Sequence, residues 1–110
     1  MTLIGRRVRG SRTGRPVMVL LDLLGRRWAL RVLWELRAAP AGFRELQARC
    51  DGMSPSVLNQ RLAELVEHRL LEVDEAGAYR LSAHGRSLAA VLGDLARWTE
   101  GWSAALKKAR

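Results

Sequence analysis

Residues 43–65, FRELQARCDGMSPSVLNQRLAEL, hold two amphipathic runs with a short break between them, and that break decides the fold. In the first run Phe43, Leu46 and Cys50 mark one face of a short helix over 43–49. Asp51-Gly52-Met53 interrupts it with turn-forming residues. Ser54 is then a strong N-cap, and Pro55 takes the first helical position, where its missing N–H costs nothing. Leu58, Leu62, Leu65 and Val66 supply the buried stripe of the second helix, expected over 54–68. A short helix and a longer one, joined by about three residues, form a helix-turn-helix.

The flanking segments complete the pattern. Upstream, Pro16 opens a helix with Val17, Leu20, Leu21 and Leu24 at helical spacing, closed by Gly25. A second helix is expected over 27–38, with Ala29, Val32, Leu33 and Leu36 inward and Pro40 ending it. Downstream, Leu71 and Val73 alternate with Glu72 and Asp74, and Tyr79 and Leu81 alternate with Arg80. The Glu75-Ala76-Gly77 turn makes them a short hairpin, which supplies a wing. Ser82 caps a final helix in which Leu88, Leu92, Leu95, Trp98, Trp102 and Leu106 recur. The expected class is mainly α (α+β): a winged helix-turn-helix with a two-stranded wing and a long C-terminal helix.

At 110 residues the chain makes one domain with a modest core, and its 48% hydrophobic and 27% charged shares are those of a globular chain. One cysteine excludes an internal disulfide framework, which points to a reducing, cytoplasmic setting. The apolar run from Val17 is broken at Asp22, too soon for a membrane span or a secretory signal, so no membrane partner is expected. His68 and His84 are isolated, no Cys/His/Asp cluster has zinc spacing, and neither a nucleophile elbow nor a phosphate-cradling glycine loop occurs. The expectation is a non-enzyme without a cofactor.

Net charge is +8, and its distribution is uneven. Arg6, Arg7, Arg9, Arg12 and Arg15 lie in a Gly/Ser/Thr-containing head without hydrophobic periodicity, leaving 14 basic against 11 acidic residues, or +3, from Pro16 onward. The organisation expected is a flexible basic arm over 1–15, a winged-helix domain over 16–106 and a tail over 107–110. A mobile arginine arm suits a polyanion, because contacts to phosphates release counterions.

The second helix of a helix-turn-helix enters the major groove, where its N-terminal residues meet base edges. Asn59 and Gln60 can each present a donor and an acceptor to adenine, and Arg61 matches guanine. Ser54 and Ser56 suit phosphate oxygens, and the arginines around the helix, Arg44 and Arg80 among them, suit the backbone. The competing reading is a solvated face in which Arg61 pairs with Glu64 or Glu67.

The stretches LLDLLGRRWALRVLWEL, FRELQARCDGMSPSVLNQRLAELVEHRLLE and YRLSAHGRSLAAVLGDLARW resemble the HxlR-type winged-helix transcription regulators of bacteria, within the MarR-like superfamily. The likeness spans roughly residues 15–106 and rests on ordered motifs: the Gly25–Trp28 junction, the Ser-Pro-x-x-Leu-x-x-Arg-Leu run, the Tyr-x-Leu-Ser strand end, and Gly85 before a long helix. The resemblance implies a homodimer joined by the first and last helices, with the recognition helices on a palindromic double-stranded operator. It also places Ser54, Ser56, Asn59, Gln60 and Arg61 at the DNA.

Three departures from the family pattern bear on function. Arg15 stands where many relatives carry a sensing cysteine, which excludes thiol sensing there; Cys50, on the apolar side of its helix, is read as a buried structural thiol. The wing is short and carries Glu72, Asp74 and Glu75, leaving Arg80 as its DNA contact, so the arginine head is expected to take over the minor-groove grip. Trp34 replaces a polar residue; with Leu20, Leu95, Trp98 and Trp102 it is assigned to the dimer interface or to a pocket for a small hydrophobic or aromatic effector. The sequence is therefore expected to encode a dimeric, sequence-specific DNA-binding transcription regulator. The rivals are a winged-helix protein–protein module and a sequence-independent nucleic-acid binder.

Overall fold

The computed structural model describes residues 3–108. It contains α1 (Pro16–Leu24), α2 (Ala29–Leu36), α3 (Phe43–Arg49), α4 (Pro55–Glu67), β1 (Leu71–Val73), β2 (Tyr79–Leu81) and α5 (Ala83–Lys108). This is the winged-helix order expected from the sequence. β1 and β2 pair antiparallel with Leu71 opposite Leu81, Glu72 opposite Arg80 and Val73 opposite Tyr79. Ala41 adds a bridge to Tyr79, exchanging hydrogen bonds of 3.0 and 2.8 Å, so the hairpin is tied to the segment before α3.

The core forms where the inward stripes converge. Val32, Leu33 and Leu36 of α2 meet Leu46 of α3, Leu58, Leu62 and Leu65 of α4, and Leu71 and Leu81 of the hairpin, all buried. Cys50 is fully buried among them. Burial raises its thiol pKa, as the structural reading requires.

Three local details differ from the sequence expectation. α2 begins at Ala29, not Arg27, because Trp28 adopts a left-handed conformation (φ 75°) and the turn from Gly25 closes through Ala29 N–H to the Arg26 carbonyl. Arg37 and Ala38 fall outside the helix, held by turns to the Trp34 and Glu35 carbonyls. Ser54 makes no side-chain cap: its hydroxyl lies 3.0 Å from that of Ser56, and only its carbonyl joins the helix, accepting from Leu58. Ser82 does cap, accepting the Gly85 N–H at 2.9 Å.

The turn between α3 and α4 is tightly specified. Asp51 (φ 57°) and Gly52 (φ 70°) are both left-handed, and Gly52 N–H reaches back to the Gln47 carbonyl at 2.9 Å. That bond satisfies a helix-end carbonyl, and Asp and Gly tolerate this backbone best. Gln47 Nε2 then donates to the Met53 carbonyl, and Arg31 of α2 reaches Asp51 at 3.2 Å and the Arg49 carbonyl at 2.8 Å. The angle between the two helices therefore rests on polar clamps as well as on packing.

The basic head has local structure. Val8 and Ser11 exchange backbone hydrogen bonds, Gly5 N–H donates to the Gly14 carbonyl, and Gly14 (φ 67°) lies against the Arg6 backbone where no Cβ would fit. Hydrogen bonds to the body hold the head among the described residues. Arg9 Nε donates to Asp22 Oδ1 at 2.8 Å, and Leu3 N–H donates to His68 Nε2 at 3.2 Å.

Candidate nucleic-acid interface

α4 divides its residues sharply. Leu58, Leu62 and Leu65 are buried, while Ser54, Ser56, Asn59, Gln60 and Ala63 are exposed. Positions 56, 59, 60 and 63 share one helical face, so the uncharged polar groups form a row pointing away from the core. The first backbone N–H groups of α4 lie at the same end, with no side-chain cap taking them up. Such a row offers hydrogen-bonding groups to base edges and phosphates.

Arg61 is not part of that row. Its side chain is only 12% exposed and lies against Glu64, with Nη1 3.0 Å from Oε1. Arg26, from the turn before α2, pairs with the other oxygen, Oε2. In the folded chain Arg61 is paired with Glu64, and the reason is geometric: position 61 flanks the buried stripe of 58, 62 and 65. The Arg61–Glu64 contact is close but poorly oriented, and Arg61 Nε and Glu64 Oε1 remain buried without a hydrogen-bond partner. Burial, reinforced by Arg26, lowers the Arg61 pKa.

The remaining expected DNA contacts are spread around α4. Arg44 on α3 is exposed. Arg80 is exposed on the wing and spans the hairpin to Glu72 at 3.1 Å, a surface pair weak enough to be exchanged for a phosphate. In the head, Arg6, Arg7, Arg9 and Arg12 are exposed, and residues 7–12 line an open concavity. Arg9 is held at Asp22, whose carboxyl that hydrogen bond, helped by Arg26, keeps below its usual pKa against the opposing effect of burial.

A second surface lies on α1 and α5. Along α5, Val91, Leu95, Trp98, Trp102 and Leu106 are exposed, at 62% for Trp98 and 52% for Trp102, and these two rings stack at 5.7 Å. On α1 the exposed apolar residues are Val17 and Leu21. Leu20, assigned to this surface from the sequence, is half-buried and lines a cavity of about 140 Å³ beneath Ile4, beside His68 and Leu70. One residue of helical phase separates the two outcomes; Val17 and Leu21, four apart, were legible as a stripe of their own. Trp34 is half-buried under the Arg37 guanidinium, 3.9 Å from its ring centroid. With Leu30, Leu92, Leu95 and Thr99 it lines a groove of about 470 Å³ between α2 and α5, whereas Trp98 and Trp102 lie outside that groove.

Among the described residues no group of His, Cys, Asp and Glu could hold a metal ion, and no helix is long and apolar enough to cross a membrane.

The model of the HxlR-like helix-turn-helix family matches residues 23–107, from the end of α1 to the end of α5. The chain belongs to the HxlR-like family. It is similar to the uncharacterised HTH-type transcriptional regulator YvaP of Bacillus subtilis, at 28% identity over 88 residues, covering 74% of this chain and 82% of YvaP. Among solved structures, the quinone-bound YodB of B. subtilis superposes with a TM-score of 0.72 at 28% identity, covering 79% of this chain and 98% of YodB. A MarR-family regulator from Enterococcus faecalis gives 0.71 at 27% identity, over 92% of this chain and 98% of the relative. As an HxlR-like protein, the chain is a transcriptional regulator with a helix-turn-helix DNA-binding domain. The α3–α4 pair is that helix-turn-helix, and the hairpin is its wing.

Proposed function

We propose that this regulator works as a homodimer on a palindromic operator, with α4 in the major groove and Asn59 and Gln60 reading bases. The observation that carries this reading is the exposed polar row on a helix whose other face is buried. Ser54, Ser56 and the α4 backbone N–H groups bind phosphates beside them. Arg44, Arg80 and the head arginines Arg6, Arg7 and Arg12 add grip on the flanks. Arg61 has no base-reading role in this account.

The dimer buries the apolar faces of α1 and α5, which otherwise leave two stacked tryptophans in water. A two-fold arrangement of two recognition helices reads two half-sites about one helical turn, or a multiple of it, apart. The Trp34 groove is the place for a small hydrophobic or aromatic effector, in keeping with the quinone-bound state of its relative YodB. The test is a gel-shift assay with salt titration and competitor duplex. Specific binding that survives excess competitor and is lost on Asn59→Ala or Gln60→Ala supports the reading. Affinity that is equal for every duplex, or absent at low salt, contradicts it.

A further inference from the structure

Five side chains form one connected ion-pair chain running from the head to the recognition helix: Arg9, Asp22, Arg26, Glu64 and Arg61. Three guanidiniums share two carboxylates, so the chain carries one surplus positive charge. Arg61 is its least satisfied member. It makes one ill-directed contact, its Nε is buried without a hydrogen-bond partner, and the second oxygen of Glu64 is already taken by Arg26. Yet Arg61 follows Gln60 directly in the chain, and its stem is long enough to bring the guanidinium out beside the exposed row.

We infer that Glu64 withholds Arg61 from the DNA backbone and so limits the sequence-independent part of the protein's DNA affinity. A guanidinium at that position would bind any phosphate, on any sequence. Such a contact raises affinity for operator and non-operator DNA alike, lengthening residence on competing sites without adding to the discrimination by Asn59 and Gln60. By engaging Arg61 inside, Glu64 removes one sequence-blind contact from the interface. Arg26 is the positioning residue of the device: by bridging Asp22 and Glu64 it holds the Glu64 carboxylate against α4 and ties the α1–α2 turn to the recognition helix. The inference rests on the DNA-binding reading of α4, and its test includes an arm that needs no DNA.

The DNA arm measures binding to a mixed-sequence duplex two helical turns long as salt is varied. Glu64→Gln frees Arg61 and should tighten binding several-fold and steepen the log–log salt slope by about 0.9, the value of one phosphate. Adding Arg61→Gln to Glu64→Gln should return the slope to that of the wild type, while Arg61→Gln alone should leave it unchanged. A cooperatively folded Glu64→Gln protein with a wild-type slope, or a steeper slope that persists in the double variant, overturns the inference. The second arm follows the Arg61 Nε–H of the wild-type protein by NMR hydrogen exchange, and so stands even if the variant does not fold. A protected signal is expected; exchange as fast as that of an exposed head arginine overturns the inference. Loss of sequence preference in the wild type would instead count against the operator reading alone.

Discussion

Gly85 lies so near the Leu70 carbonyl oxygen that a Cβ at position 85 would overlap it, with the Leu81 side chain also in contact. The first turn of α5 is thereby pressed onto the end of the α4–β1 connection. Beside it, Ser82 Oγ accepts from Gly85 N–H and donates to the Arg69 carbonyl at 2.6 Å. A glycine in the first turn of the long helix is thus a packing requirement of the winged-helix body. Gly85→Ala should destabilise the protein by roughly 1–3 kcal/mol through overpacking, and Ser82→Ala by about 1 kcal/mol through loss of the cap. Urea unfolding curves measure both.

His68 gives the fold a pH dependence. Its Nδ1 donates to the Glu64 carbonyl at 2.7 Å, because a carbonyl only accepts, and its Nε2 must then accept from Leu3 N–H. Only the neutral ring does both. Burial lowers the His68 pKa, Arg26 lowers it further, and Glu67 opposes them. A depressed folded-state pKa means the stabilisation is present above the unfolded value, about 6.5, and is lost as pH falls toward the folded value. The wild-type melting temperature should therefore fall as pH is lowered below about 6.5, and in His68→Gln this part of the slope should vanish.

Cys50 should be inert in the native state. It is fully buried and its thiol pKa is raised, so the reactive thiolate is scarce. With Arg15 at the head of α1, the chain has no other thiol. Reaction with an aromatic disulfide reagent should be slow in buffer and fast in denaturant, and diamide should leave DNA affinity unchanged. Rapid native labelling would count against a structural role.

The apolar faces of α1 and α5 give a prediction on assembly. Leu95 and Trp98 are 54% and 62% exposed in the single chain, so replacing them does not disturb the core. Leu95→Glu or Trp98→Glu should shift the protein from two chains to one in light scattering, with monomer helicity retained. A wild-type protein that is monomeric at micromolar concentration contradicts the dimer.

Apolar spacing made most of the fold legible in the sequence. The stripe of Leu58, Leu62 and Leu65 and the alternation of Leu71 and Leu81 translate directly into burial, because period and face are linked by geometry. Polar residues were harder to read, since their partners are distant in the chain. Nothing near Arg61 in sequence reveals that Arg26 has already taken half of Glu64. Trp28 is left-handed because the turn from Gly25 must close before α2 can pack, an override by tertiary structure that no local propensity reports. Ser54 had the sequence of a cap, yet its hydroxyl is directed to Ser56.

On the proposed function, Asn59 and Gln60 read bases as a two-fold pair. The most direct measurement is selection of bound duplexes from a random DNA pool, with the wild type and the Asn59→Ala and Gln60→Ala variants in parallel. The wild type should enrich an inverted repeat with half-sites about one helical turn, or a multiple of it, apart. Each variant should lose preference at one position of each half-site, a discrimination worth about 1–3 kcal/mol. No enriched motif, or the same motif at the same strength from all three proteins, would contradict it.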